Sequence, residues 1–284
     1  MCRTFFLSGF FVVSALMSGC KDDDPTVKTT FDLVVDAPVT VKSGEEKTIY
    51  VYKDPGVTQT RYANKITFTV PANISQVHLT RFTGSTAPKI DEPREVGSEQ
   101  FNNHQVLAVI RKSQSYTFAP GIGLKLNASD KFDVGMKVIN PTTSDITSLK
   151  SSVSIDAPET TVTHEALPFI FYNTMVSMPP GATGKSTYSF KPTEKMNVVM
   201  LSNFSSKYIT YLEIYIVKSG VSELVYTSKD WENPLIKSFD PLVLNPGDAL
   251  KLEATYTNPT NHTVHFGDGS DDDFTGAFGY YYKD

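Results

Sequence analysis

Apolar residues in this chain recur at every second position, and no stretch sustains a helical period. Successive side chains of an extended backbone point to opposite faces, so this pattern buries one face of a strand and leaves the other in water. Candidate strands cover residues 47–52, 65–70, 76–82, 106–110, 131–138 and 149–155. After a break come 169–175, 187–190, 196–203, 209–217, 223–227, 249–256, 263–266 and 277–282. Asp54-Pro-Gly56, Ala119-Pro-Gly121, Asn140-Pro141, Pro179-Pro-Gly181 and Asn245-Pro-Gly247 supply turns between them. The expectation is an all-β fold with antiparallel pairing.

The break is Asp156-Ala-Pro-Glu-Thr-Thr-Val-Thr163, polar and poor in strand formers. With 284 residues, 40% of them apolar, the chain can fill two ordinary cores. Two consecutive jelly-roll β-sandwich domains are expected, over residues 31–157 and 158–284. Each half carries a late Pro-Gly turn before a long strand, a loose shared plan that falls short of a repeat.

Ahead of the sandwiches, Arg3 precedes an apolar run from Phe5 to Met17 and then Ser18-Gly19-Cys20. A basic start, a short apolar segment and small residues predict a secretory signal over residues 1–19. Cys20 after Ser-Gly resembles a lipobox, which implies an acylated thiol and a membrane anchor without a spanning helix. Lys21-Asp-Asp-Asp24 resembles the acidic export tag of some Gram-negative surface lipoproteins, and otherwise reads as a solvated spacer. Residues 20–30 are thus a tether, and the expected location is the cell surface of an outer membrane. The other cysteine, Cys2, lies in the removed segment, so no thiol remains for disulfides, catalysis or metal. A net charge of −5 with no basic patch argues against nucleic-acid partners.

One ordered series of motifs points to a family. Lys65-Ile-Thr-Phe-Thr-Val70 and Ile74-Ser-Gln-Val-His-Leu79 lead to His104-Gln-Val-Leu-Ala-Val109, Phe118-Ala-Pro-Gly-Ile-Gly123 and Val134-Gly-Met-Lys-Val-Ile-Asn-Pro141. Val198-Val-Met-Leu-Ser-Asn-Phe-Ser205, Leu250-Lys-Leu-Glu-Ala-Thr-Tyr-Thr-Asn258, Val264-His-Phe-Gly267 and Tyr280-Tyr-Tyr282 follow. This order resembles the copper type II, ascorbate-dependent monooxygenases, the peptidylglycine and dopamine hydroxylating enzymes. The resemblance implies two jelly rolls and two copper sites, and it places the ligand positions at Val77, His78 and Lys137, and at Ser202, Phe204 and Phe274. Only His78 retains an imidazole there. A hydroxyl is a poor copper ligand and a phenyl ring has no donor atom, so intact copper chemistry is not expected.

Three further chemistries compete. Copper ligands moved to new positions would need distant histidines to converge, among them His104 and His164; His262 and His265 would need a turn between them. An N-glycanase-like amidase would need carboxylates gathered in an interdomain cleft, with Asp91, Glu92 and Glu194 among those available. Asp268-Gly-Ser-Asp-Asp-Asp273 is dense in hard oxygen donors for calcium, yet its spacing does not match an EF-hand and equally describes a solvated turn.

Aromatics offer a binding alternative. Tyr208, Tyr211, Tyr215, Tyr226 and Trp231 crowd one region, as core or as a stacking surface for sugar or peptide. Trp231, in the polar Lys229-Asp-Trp-Glu-Asn233, is the first candidate for contact with a ligand. The expected function is a surface-anchored, non-catalytic binding or assembly module for a protein or glycan.

Overall fold

A computed structural model describes residues 28–95, 104–205, 207–265, 267 and 275–284, and each regular element within them is a strand. No helix among the described residues is long and apolar enough to cross a membrane. Cys20, Phe274 and the acidic run 268–273 lie outside the described residues.

The first half forms two facing sheets. One has the order β1 (Thr30–Ala37), β11 (Leu149–Asp156), β4 (Lys65–Thr69) and β8 (Gln114–Thr117). The other has β6 (Pro93–Glu95), β2 (Glu46–Lys53), β10 (Phe132–Ile139), β5 (Gln76–Phe82) and β7 (His104–Ile110). The second half repeats the plan. There β12 (His164–Tyr172), β21 (Gly276–Tyr282), β15 (Met196–Phe204) and β18 (Lys237–Leu244) face β14 (Thr183–Phe190), β19 (Ala249–Thr257), β16 (Ile209–Lys218) and β17 (Val221–Ser228). In both halves the first strand pairs with the last, and the chain passes repeatedly from one sheet to the other, which is jelly-roll topology. A short pair, β13 (Ser177–Met178) with β20 (Val264–His265), completes the second half.

Two expectations need correction. The strand expected at 169–175 is β12, which starts five residues earlier and ends three earlier; Met175 lies beyond it at 84% exposure. The pairing is also not wholly antiparallel. Residues His164–Ala166 of β12 run parallel to β9 (Ile122–Leu126), a strand of the first half, and β9 pairs in turn with β3 (Arg61–Ala63). Strands from different halves are not joined by a hairpin, so nothing forces them to run in opposite directions.

The six-stranded sheet made in this way joins the halves. On β15 every residue is buried, because the strand is covered on both faces. Val198 and Leu201 belong to the core of the second half, whereas Met200 and Phe204, with Phe278 and Tyr280 of β21, complete the core of the first. Each large apolar side chain so buried contributes about 1.5–3 kcal/mol. Tyr280 donates a 2.8 Å hydrogen bond to the Leu107 carbonyl across the joint. Gly276 permits the close approach: a Cβ there would lie 2.5 Å from Phe204 Cζ and 2.8 Å from the Phe171 carbonyl.

Candidate functional site

The positions implied by the copper resemblance fall at two places. Val77 points into the first core, fully buried, while His78 projects from the opposite face of β5 and is joined through Nδ1 to the Tyr50 hydroxyl by a 2.7 Å hydrogen bond. Lys137 lies on that same outer face but pairs with Glu46 at 2.8 Å. In the second half, the Ser202 hydroxyl donates to the Leu235 carbonyl at 3.1 Å, and Phe204 is packed in the joint between the halves. Ser202 and Phe204 do share a strand face, as their spacing predicts, but that face is filled by side chains. Among the described residues no group of three or more His, Cys, Asp or Glu is placed to hold a metal.

Two distant histidines flank one tyrosine. Tyr50 lies beside both His78, with ring centroids 6.1 Å apart, and His104, at 6.4 Å. His104 Nε2 is 2.5 Å from Oδ2 of Asp133, and Arg94 of β6 donates to the same oxygen at 2.6 Å. Asp133 is fully buried, and its Oδ1 has no hydrogen-bond partner. A buried carboxylate is tolerated only when paired, and here the pair also fastens β6 across β2 onto β10.

The other histidines and carboxylates stay apart. His164 stacks on Tyr282 at 4.1 Å, and His262 and His265 are exposed on and beside β20. Asp91 pairs with Lys53, Glu92 with Lys89 and Glu194 with Lys283, each a surface ion pair.

The aromatic group divides. Tyr226 is core, donating to Asn203 Oδ1 and the Leu235 carbonyl, and burial pushes its pKa up to about 12. Tyr208 is core as well. Tyr211 and Tyr215 lie half-buried on the outer face of the β14–β19–β16–β17 sheet, beneath Lys229 and Lys251. Trp231 carries the guanidinium of Arg111, a residue of the first half, 5.2 Å from its ring centroid. Lys112 and Glu232 lie 3.7 Å apart beside it, so this loop also bridges the halves.

A groove opens at the junction. It has a volume of about 430 Å³ and is lined by Gln59, Thr60, Arg61 and Tyr62 at the start of β3, and by Pro158, Glu159, Thr160 and Thr161 of the connection between the halves. Local backbone geometry places the two walls together. The Val162 side chain crosses β9 where Gly123 leaves room: a Cβ at Gly123 would lie 3.1 Å from Val162 Cγ2 and 2.9 Å from Tyr62 Cβ. Gly121, at φ +82°, takes the left-handed turn whose carbonyl accepts from the Thr163 amide and hydroxyl. Arg61 forms the floor with 7% of its surface exposed, while Gln59, Thr60, Glu159, Thr160 and Thr161 are exposed around it. Buried Nη2 of Arg61 has no hydrogen-bond partner; the nearest carboxylate oxygen, Glu159 Oε1, is 3.7 Å away.

This groove leaves little trace in the sequence. Its walls are about a hundred residues apart in the chain, and residues 156–163 read only as a polar connection. The available signal was an arginine in a short alternating run, Arg61-Tyr-Ala63, where an apolar residue would be ordinary.

No family model matches the chain, and no curated protein matches it in sequence. Solved structures similar to it include a Cowpea mosaic virus top component, at 12% identity and TM-score 0.40 over 94% of each chain. The major capsid protein P2 of bacteriophage PM2 is similar at 10% identity and TM-score 0.36, over 88% of this chain and 98% of that one. Likeness at this level carries no argument about activity.

Proposed function

We propose that the chain is a lipid-anchored surface module that binds its ligand in the groove between its two jelly rolls and performs no copper chemistry. The observation that carries the binding site is Arg61. A buried guanidinium with an unpaired donor is costly unless a partner arrives, and this one lines a concave surface rich in amide and hydroxyl groups. Two independent features support the non-catalytic reading. Val77 and Phe204 offer no donor atom at inferred copper positions, and Lys137 and Ser202 already have protein partners. Anchoring rests on Ser18-Gly19-Cys20 and the acidic tether after it.

The test uses the mature chain on an array of immobilised polysaccharides and extracellular proteins. Thr160→Trp places a bulky ring on an exposed lip of the groove and leaves the cores untouched. Retention should fall at least roughly tenfold with no change in melting temperature. Retention equal to wild type removes the groove as the site. In the same material, Cys20→Ala should leave the detergent phase; partitioning like wild type contradicts the anchor.

A further inference from the structure

We infer that the groove receives a monoanionic, hydroxyl-rich carboxylic acid of the sugar-acid class, and that Glu159 holds the place of the ligand carboxylate in the free protein. This rests on the reading of the groove as the ligand site. The Arg61 side chain is only 6% exposed, whereas that of Glu159 is 76% exposed. At 3.7 Å their contact is an ion pair beyond hydrogen-bonding distance, and water screens its exposed member. A carboxylate that takes the place of Glu159 would accept from the unsatisfied Nη2–H of Arg61, a charge-assisted hydrogen bond that Glu159 at 3.7 Å does not make. Exchange of Glu159 for the ligand leaves the net charge at Arg61 unchanged.

The rest of the lining narrows the class. Arg61 is the sole cation among the lining residues, so it balances a monoanion and leaves a dianion such as phosphate half-neutralised. Gln59, Thr60, Thr160 and Thr161 present both donors and acceptors, which suits a ligand with many hydroxyl groups. Tyr62, half-buried, adds an apolar ring for the face of a pyranose.

Calorimetric titration of the mature chain tests this with five probes: galacturonic acid, its linear oligomer, the neutral galactose oligomer, inorganic phosphate, and a short peptide with a free C-terminal carboxylate. The acidic oligomer should bind, and the neutral oligomer should bind at least roughly tenfold more weakly. Monomer binding equal to oligomer binding identifies a free sugar acid as the ligand; weaker monomer binding identifies a polysaccharide, and either supports the class. Glu159→Gln should tighten acidic-oligomer binding about threefold by removing the competing carboxylate, and Arg61→Gln should weaken it at least roughly tenfold. Glu159→Gln alters an exposed side chain, so its result does not depend on whether Arg61→Gln folds. Equal binding of acidic and neutral oligomers, preference for phosphate or peptide, or no binding of the acidic probes to wild type and Glu159→Gln each overturns the inference. A neutral ligand whose binding Thr160→Trp abolishes leaves the groove reading intact. An acidic ligand indifferent to Thr160→Trp sinks that reading too.

Discussion

Burial keeps the His78 imidazole neutral: loss of solvent, then the charges of Lys137 and Arg111, push its pKa down to about 3 from an ordinary 6.5. The consequence for stability has a definite sign. Above pH 6.5 the ring is neutral in both folded and unfolded chains, and His78 contributes no pH dependence. As pH falls below 6.5, the unfolded chain gains a proton that the folded one refuses, so stability drops until the folded pKa is reached. The loss is about 2 kcal/mol by pH 5. Carboxylates with lowered pKa, such as Asp54 and Glu253, titrate below this window. Denaturant midpoints between pH 7 and 5 should therefore fall more steeply for wild type than for His78→Gln; parallel slopes contradict a buried neutral His78. From the sequence, His78 was legible as a strand histidine between Val77 and Leu79, but the hydroxyl of Tyr50 beside it was not.

At the scale of the element, the two halves share a detail finer than strand order. Asn140 directly follows β10 and Asn258 directly follows β19, and each begins an Asn-Pro-Thr turn with its side chain fully buried. Both amides donate to carbonyls of the preceding and following loops, Val41 and Ser144 in one case, Met178, Pro179 and His262 in the other. In both, the side-chain oxygen accepts from the amide and hydroxyl of the threonine two residues on. Either Asn→Ala change leaves several buried backbone groups unpaired and should cost about 2–4 kcal/mol in a denaturant titration. A cost under about 0.5 kcal/mol would show that the turn holds without its asparagine. The Asn-Pro pair was visible as a turn, whereas its network depends on loops distant in the chain. β5 was legible from Val77 and Leu79 alternating with Gln76 and His78, and its bounds match the expected ones. β1 alternates perfectly yet is absent from the expected strands, since it starts where the expected tether ends, and β18 is hidden by Pro241, which an edge strand tolerates. β3 and β9 are too short to carry a period, and they make the joint.

The whole molecule is two jelly rolls sharing one sheet, and that sharing creates the groove. The Trp231 loop, Tyr280 and Phe204 lock the halves from one direction, while β3, β9 and β12 join them from another. A groove walled by the first half and by the connection to the second, with a buried guanidinium as its floor, is the reason to regard this surface as a binding site. It was illegible in the sequence because it depends on a parallel pairing between halves that no local pattern encodes. The most direct measurement is a nuclear magnetic resonance titration of the mature chain, labelled at backbone amides and arginine side chains, with the galacturonic acid oligomer. The account predicts that the Arg61 guanidinium signal and the amides of residues 59–62 and 159–161 shift together and saturate, with the Tyr211 and Tyr215 face unchanged. Saturable shifts confined to that tyrosine face, with Arg61 unmoved, would contradict it.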